Sequence, residues 1–217
     1  PARRADEHLL GGVASPVTGR QSRIAGVVLA GGQSARMGRD KARLRLGEQT
    51  LLERTTGLLC KLFDEVLVVV DRADRIGAAR GARVVEDLVP RIGPLGGIYT
   101  ALMTTERPAV FVVACDMPRL DARVISDQLR PWEPADADAL VPLVEGRAEP
   151  LHAVYSRRCV PAIERRIEQR DYRVRAFFEA VRVRFWEPGP AAASSFANVN
   201  TPEDWAAIVE SGGDRGC

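Results

Sequence analysis

Short, largely apolar runs bounded by glycine and polar residues recur along the first half of the chain. The clearest are Ile24–Leu29, Glu65–Val70 and Ala109–Val113, and a shorter one begins at Arg83. Such runs are typical of strands that are buried on both faces of a parallel sheet. Leucines at helical spacing after Thr50, and the run 94–105, predict helices between these strands. The alternation predicts right-handed βαβ units, and therefore an α/β fold with a mostly parallel central sheet and helices on both faces.

The second half of the chain is less regular. Ala139–Leu143 and Leu151–Tyr155 predict two strands that face one another across Glu145 and Gly146. The other predicted elements are helices over 161–169 and 173–180, a strand over 181–186 and a last helix that begins at Thr201-Pro202. We expect one domain over residues 23–211, preceded by a flexible tail over 1–22 and followed by a frayed end over 212–217.

Composition excludes several classes of protein. The chain has 217 residues, of which 46% are hydrophobic and 28% charged, so it can bury a sizeable core and is not wholly disordered. Its 31 basic and 29 acidic residues leave a formal charge of +2, which argues against a dedicated nucleic-acid binder. No apolar run is long enough to span a membrane, and four scattered cysteines favour a reduced, cytoplasmic protein. With two histidines, a histidine-based zinc site or a serine-type triad is poorly supplied.

The first segment that indicates chemistry is LAGGQSARMGRDK, which runs from Leu29 to Lys41 directly after the first predicted strand. Glycines in such a loop let backbone N–H groups approach phosphate oxygens, and Arg36 and Lys41 add positive charge. Lys41 is notable because the chain has 29 arginines and only two lysines. The segment matches neither a Walker A loop nor a dinucleotide-binding fingerprint. Taken alone, it also fits a glycine-rich turn with solvated basic side chains.

The second segment is Val113–Pro118, in which Asp116 follows a buried strand. A carboxylate at the carboxyl end of a parallel strand lies where open α/β folds bind ligands, and one such oxygen ligand can hold Mg²⁺ against nucleotide phosphates. An aspartate that caps the next turn is the alternative. The neighbouring Cys115 is interpreted as a core residue rather than a nucleophile.

Two further segments carry candidate polar contacts. Asp87, shortly before GPLGGI at 93–98, is able to accept hydrogen bonds from a purine, although Gly-Pro by itself indicates only a turn. Asn198 and Asn200 lie two residues apart on an extended segment, so both amides face the same side and suit a polar heterocycle. Asn200 also fits a plain helix-start residue, and His152 is interpreted as a strand histidine rather than a base.

Taken together, LAGGQSARMGRDK, EDLVPRIGPLGGI, ACDMP, EPLHAVY and NVNTPED resemble the molybdenum cofactor guanylyltransferase family, the molybdopterin-guanine dinucleotide biosynthesis protein A family, from about Ile24 to Val209. The first motif is shared with many nucleotidyltransferases, and the combination narrows the match. The resemblance implies a Rossmann-like nucleotidyltransferase fold and a Mg²⁺-dependent transfer of GMP from GTP to molybdopterin or the molybdenum cofactor. It also implies transient contact with cofactor-delivering proteins and acceptor molybdoenzymes, and no nucleic-acid or membrane partner.

The resemblance also assigns roles to residues. Asp116, Lys41 and Arg36 would stabilise the charge that develops during transfer, with Asp116 holding the metal. The implied pterin contacts are Asn198 and Asn200. The implied nucleotide contacts are Leu29, Ala30, Gly31, Gly32, Lys41, Asp71, Asp87 and Asp116. At Asp71 many relatives carry asparagine, and at His152 they often carry an apolar residue.

Two other functions remain open at the level of sequence. A cytidylyltransferase would perform the same chemistry with CTP, on molybdopterin or on another small phosphate-bearing acceptor. Such relatives usually show Ala-Gly where this chain has Gly31-Gly32, and they lack the Gly-Pro-Leu segment. A non-catalytic nucleotide-binding regulator would have little reason to keep Arg36, Lys41 and Asp116 together. Release of pyrophosphate separates an enzyme from a regulator.

Overall fold

The structure, a computed structural model, describes residues 20–31, 41–72, 76 and 79–210. The strands are β1 (Ile24–Leu29), β2 (Arg45–Leu46), β3 (Gln49–Thr50), β4 (Val66–Val70), β5 (Arg83–Glu86), β6 (Ala109–Ala114), β7 (Ala139–Val144), β8 (Arg147–Ala148), β9 (His152–Ser156) and β10 (Val183–Trp186). The α-helices are α1 (Leu51–Leu62), α2 (Pro94–Thr104), α3 (Ala122–Leu129), α4 (Val160–Glu168) and α5 (Pro202–Glu210).

The main sheet confirms the predicted α/β fold. Its strands lie in the order β10-β7-β9-β6-β1-β4-β5, and β8 pairs with the last two residues of β7. The four strands β6, β1, β4 and β5 are mutually parallel, and Leu29 at the end of β1 is in register with Val69 and Ala114. The carboxyl ends of these four strands therefore meet at one edge of the sheet, which we call the carboxyl edge.

The second half of the sheet is mixed. Strand β9 runs antiparallel to both β6 and β7, so the predicted strands across Glu145 and Gly146 do pair, although β8 intervenes between them. Strand β10 then joins β7 in parallel. Because β9 is antiparallel, its first residues lie beside the end of β6, and the segment before it reaches the carboxyl edge.

Each face of the sheet buries its own hydrophobic core. Val27 belongs to the core covered by α2 and α4, and its neighbour Val28 belongs to the core covered by α1 and α3. Successive strand side chains point to opposite faces, so an apolar run such as β1 serves both cores at once. Helix α1 begins as predicted at Thr50, which forms a capping box with Glu53.

Two local features differ from the predicted elements. Helix α3 lies in a stretch for which no helix was predicted, and Asp121 caps it by accepting from the Arg123 N–H. Residues Val174–Ala180 form a 3-10 helix, in which the buried Val174 and Phe177 share one face because they lie three residues apart. No helix among the described residues is long and apolar enough to cross a membrane.

Candidate functional site

The segment that is predicted to bind the nucleotide begins at the end of β1, at the carboxyl edge, between the ends of β4 and β6. The Ala30 N–H donates to the carbonyl of Val69 at 2.9 Å, and the Cys115 N–H donates to the carbonyl of Leu29 at 3.1 Å. These bonds extend the parallel pairing past the last strand residues on both sides. The ends of β4, β1 and β6, and with them Asp71, Gly31 and Asp116, are therefore held side by side.

Gly31 lies close against the neighbouring chain. A Cβ atom at this position would lie 3.1 Å from the backbone nitrogen of Asp71. The glycine therefore lets the two strand ends approach one another, and it brings the predicted contact residue Asp71 beside the loop. Gly32 and Arg36 fall outside the described residues, and so does the side chain of Lys41, so the roles assigned to them stay predictions.

Leu29, the last residue of β1, packs against α2. Its side chain is almost fully buried, and a Cβ atom added to Gly97 would lie 2.8 Å from its Cδ2 atom. Glycine at 97 therefore lets α2 pack directly on the last residue of β1. The leucine side chain fills the space beneath α2, and the nucleotide contact that the resemblance implies for Leu29 stays a prediction.

Asp87 shapes the loop between β5 and α2. Its Oδ1 atom accepts hydrogen bonds from the Thr100 hydroxyl at 2.8 Å and from the Val89 N–H at 3.0 Å. The Thr100 hydroxyl in turn accepts from the Leu88 N–H. Gly96 leaves room for the second oxygen, since a Cβ there would lie 2.9 Å from Asp87 Oδ2. Asp87 is thus held in one orientation at the carboxyl edge.

Asp116 and the two predicted asparagines are brought together by a long-range backbone bond. The Val199 N–H donates to the carbonyl of Asp116 at 2.9 Å. Val199 is 1% exposed and packs among Leu46, Leu51 and Ile208, whereas Asn198 and Asn200 on either side of it are exposed. Both asparagines therefore face solvent from one side of an extended segment that runs next to Asp116.

Asn200 also takes part in the start of α5. Its backbone N–H donates to Asp204 Oδ2 at 2.8 Å, and the Thr201 N–H donates to the same oxygen at 2.9 Å. The Asp204 N–H returns a bond to the Thr201 hydroxyl, which completes a capping arrangement. The interpretation of Asn200 as a helix-start residue is therefore confirmed for its backbone, whereas the contact of its exposed side chain with a pterin stays a prediction.

His152 is a buried strand histidine, as the interpretation of the sequence had it. Its Nδ1 atom lies 2.8 Å from Gln128 Oε1, and the Gln128 amide nitrogen donates to the His152 carbonyl at 3.0 Å. Phe111 and Phe196 pack on the imidazole ring. Burial lowers the pKa of His152 to about 4, so the ring is neutral near pH 7 and is enclosed away from any substrate.

The possible metal ligand at the carboxyl edge is an oxygen donor. Within the described part of the chain, no three His, Cys, Asp or Glu side chains are grouped as a protein cage for a metal ion would require. The half-buried Asp116 offers a hard carboxylate oxygen at the edge. Mg²⁺ is commonly held in this way, by one or two carboxylates together with substrate phosphates and water. Cys115 is buried and packs in the core, as predicted.

Thr100 and Gln128 were not identified from the sequence. Each acts through a side chain of another element: Thr100 of α2 holds Asp87, and Gln128 of α3 holds His152. Both lie within helical segments and have no local pattern that distinguishes them from core or surface polar residues.

The comparisons with known proteins agree on one family. Residues 26–185 match the MobA-like NTP transferase domain. The chain is 37% identical to a probable molybdenum cofactor guanylyltransferase of Pelotomaculum thermopropionicum, over 82% of this chain and 88% of the relative. It is 35% identical to a protein of the same description from Methanothermobacter thermautotrophicus, over 82% of this chain and 94% of the relative.

Solved structures share the fold. Molybdopterin-guanine dinucleotide biosynthesis protein A from Archaeoglobus fulgidus superimposes with a TM-score of 0.77 and 26% identity, covering 86% of this chain and 97% of that one. The 2-C-methyl-D-erythritol 4-phosphate cytidylyltransferase from Thermus thermophilus gives a TM-score of 0.65 at 18% identity, covering 88% of this chain and 98% of that one. The second similarity concerns the fold alone.

Proposed function

Because this chain belongs to the MobA-like NTP transferase domain family and is a nucleotidyltransferase, we propose that it transfers GMP from GTP to molybdopterin or the molybdenum cofactor. The products are the guanine dinucleotide form and pyrophosphate. The observation that carries the proposal is the junction of Asp116 with the segment of Asn198 and Asn200, through the bond from the Val199 N–H to the Asp116 carbonyl. This bond supports the proposal because Asp116, which we propose as the metal ligand, then lies next to the segment that we propose to contact the acceptor.

The reaction requires little proton chemistry from the protein. The terminal phosphate of the pterin attacks the α-phosphorus of GTP, a new P–O bond forms, and the bond to the β-phosphate oxygen breaks so that pyrophosphate leaves. The attacking phosphate is already ionised, so no general base is needed, and positioning with charge stabilisation provides most of the catalysis. The enclosed, neutral His152 is consistent with such a mechanism.

Each part of the carboxyl edge has a role in this scheme. The loop after Gly31 would bind the phosphates, together with Arg36 and Lys41, while Asp116 would hold Mg²⁺. When bound, Mg²⁺ supplies positive charge that offsets the charge on the phosphate oxygens. Asp87, held by Thr100, would accept from the N1–H and amino group of guanine. A cytosine ring has no N1–H donor in this position, so the same carboxylate favours GTP over CTP.

The test is product formation from molybdopterin with Mg²⁺ and either GTP or CTP, with the products identified by mass. We expect a guanine dinucleotide with GTP and little product with CTP. Asp116→Asn should lower kcat at least about 100-fold, with the folded state intact by circular dichroism. Asp127→Asn is the matched control, because Asp127 is an exposed aspartate on α3 that pairs with the neighbouring Arg130 on the surface.

The outcomes separate the alternatives. Preference for CTP would keep the transfer chemistry and overturn the role of Asp87. Absence of pyrophosphate release with either nucleotide would favour a binding regulator. An Asp116→Asn variant that turns over at the rate of Asp127→Asn would remove Asp116 from the metal site.

A further inference from the structure

A groove of about 620 Å³ lies beside the carboxyl edge on the face of the sheet covered by α2 and α4. One wall is the start of α2, the second is the turn before β9, and the third is the chain that follows α4. Three arginines and several apolar side chains line it, among them Arg166, Arg173, Arg175, Pro94, Leu151 and Tyr172. We call it the arginine groove.

The arginines of the groove are held in place by ion pairs and hydrogen bonds. Arg173 donates from Nε and Nη2 to the two oxygens of Asp171, each at 2.8 Å. Arg166 lies 3.5 Å from both Asp171 and Glu179. Arg175 donates to the carbonyl of Ala148. A guanidinium has more N–H donors than any of these contacts uses, so each arginine is oriented and still keeps donors for a ligand.

The balance of charge around the groove is positive. Its lining includes one acidic residue, Glu179, against the three arginines. Asp171 supports Arg166 and Arg173 from behind, with its side chain 20% exposed. Glu149, near the turn before β9, adds one more carboxyl group and is accompanied by Arg147 as well as Arg175. Four arginines thus face three carboxylates, which suits an anionic ligand.

The lining of the groove also contains apolar and aromatic side chains. Pro94 comes from the start of α2, Pro150 and Leu151 come from the turn before β9, and the partly exposed Tyr172 comes from the chain that follows α4. Proline rings and an aromatic ring provide surfaces on which a planar heterocycle can stack. The chemistry of the groove therefore fits a flat ring system that carries an anionic substituent.

The groove adjoins the proposed reaction centre. The carbonyl of Leu151 accepts from the Ala114 N–H at 3.2 Å, and Ala114 precedes Asp116 by two residues. Pro94, which lines the groove, is two residues before Gly96, and Gly96 lies against Asp87. The phosphate-binding role is assigned to the loop after β1, whereas the groove is built mostly from residues 150–179 and is therefore a candidate site for the other substrate.

We propose that the arginine groove binds the acceptor of the transfer reaction, at the end remote from the attacking phosphate. Arg173 and Arg175 would bind its anionic group, and Tyr172 with Pro150 would receive its heterocycle. Asn198 and Asn200 would contact the same molecule nearer to Asp116. This inference rests on the proposed function, because it takes the acceptor to be a planar, anionic pterin.

The experiment compares Arg173→Gln and Arg175→Gln with the wild-type protein. Each variant should raise the KM for molybdopterin about tenfold or more, as expected when a charge-assisted hydrogen bond is removed. The KM for GTP should stay within about twofold of the wild-type value. The melting temperature should stay within a few degrees of that of the wild-type protein. Arg165→Gln is the control, since this exposed arginine on α4 lies next to Arg166 in sequence and bonds to the carbonyl of Pro161.

Binding of molybdopterin without GTP, followed anaerobically by calorimetry, separates this inference from the proposed function. If the wild-type protein forms the dinucleotide and both variants keep the wild-type KM for molybdopterin, the groove is not the acceptor site. If the wild-type protein forms no dinucleotide but binds molybdopterin, and both variants bind it about tenfold more weakly, the groove assignment holds while the proposed reaction fails. Lack of molybdopterin binding by the wild-type protein, or an equal loss in Arg165→Gln, would overturn the groove assignment.

Discussion

The buried pair of His152 and Gln128 predicts a specific dependence of stability on pH. The Gln128 amide nitrogen donates to the His152 carbonyl, so its oxygen faces Nδ1, and Nδ1 must carry the ring proton. The other ring nitrogen, Nε2, is buried and has no hydrogen-bond partner among the described residues. A second proton there would place a charge and an unpaired N–H in the core, which explains why burial lowers the pKa of His152 to about 4 from its ordinary value of 6.5.

The magnitude follows from this shift. Above pH 6.5 the ring is neutral in both the folded and the unfolded chain, so protonation of His152 does not reduce the free energy of unfolding. As the pH falls below 6.5, His152 binds a proton in the unfolded chain but stays neutral in the folded chain. The free energy of unfolding therefore falls until about pH 4. The total loss is about 3 kcal/mol, and about 2 kcal/mol of it is reached by pH 5.

The perturbation is His152→Phe, which removes the titrating group. It leaves Gln128 Oε1 without its partner, at a cost of about 1–3 kcal/mol that does not depend on pH. Urea unfolding at several pH values between 7.5 and 5.0 should show that the wild-type protein loses about 2 kcal/mol more than the variant over this range. Glu149, whose pKa is raised by burial, acts in the opposite direction but is common to both proteins and cancels.

Two results would refute the reasoning. If the stability curves of the wild-type protein and His152→Phe run parallel from pH 7.5 to 5.0, burial does not keep His152 neutral. If His8→Gln, which removes the other histidine of the chain, reproduces the change in slope, the effect does not belong to His152. A proton NMR titration of the ring gives an independent measure, because its signals should not shift until the pH approaches 4.

The remaining predictions concern the site and its scaffold. Gly96→Ala places a Cβ 2.7 Å from the Val89 carbonyl and 2.9 Å from Asp87, so it should raise the KM for GTP and lower the melting temperature. Gly57→Ala, in open space on α1, should instead raise the free energy of unfolding by about 0.5–1 kcal/mol. Thr50→Ala breaks the capping box and should lower that free energy by about 1 kcal/mol in urea unfolding. Asn198→Ala should raise the KM for the acceptor and leave that for GTP unchanged.

The positions of several site residues could be predicted because they follow strands with a strong local pattern. Leu29, Asp71, Asp87 and Asp116 each lie at or just beyond the carboxyl end of a parallel strand, as the apolar runs before them indicate. Parallel strands place those ends at one edge whatever their order. The exposure of Asn198 and Asn200 around the buried Val199 likewise follows from the two-residue period of extended chain.

The sequence by itself determined the seven strands longer than two residues, most of the helices, the caps at Thr50 and Thr201, and the family, because these depend on residues near one another along the chain. The two-residue strands β2, β3 and β8 were not predicted. Only the tertiary structure decided which strand ends are neighbours, that the Val199 N–H reaches the Asp116 carbonyl, and that Thr100 holds Asp87. The same is true of the arginine groove, since one arginine among 29 carries no distinguishing signal. Such contacts join residues far apart in sequence, and their partners are selected by the packing of the whole core, which no local pattern encodes.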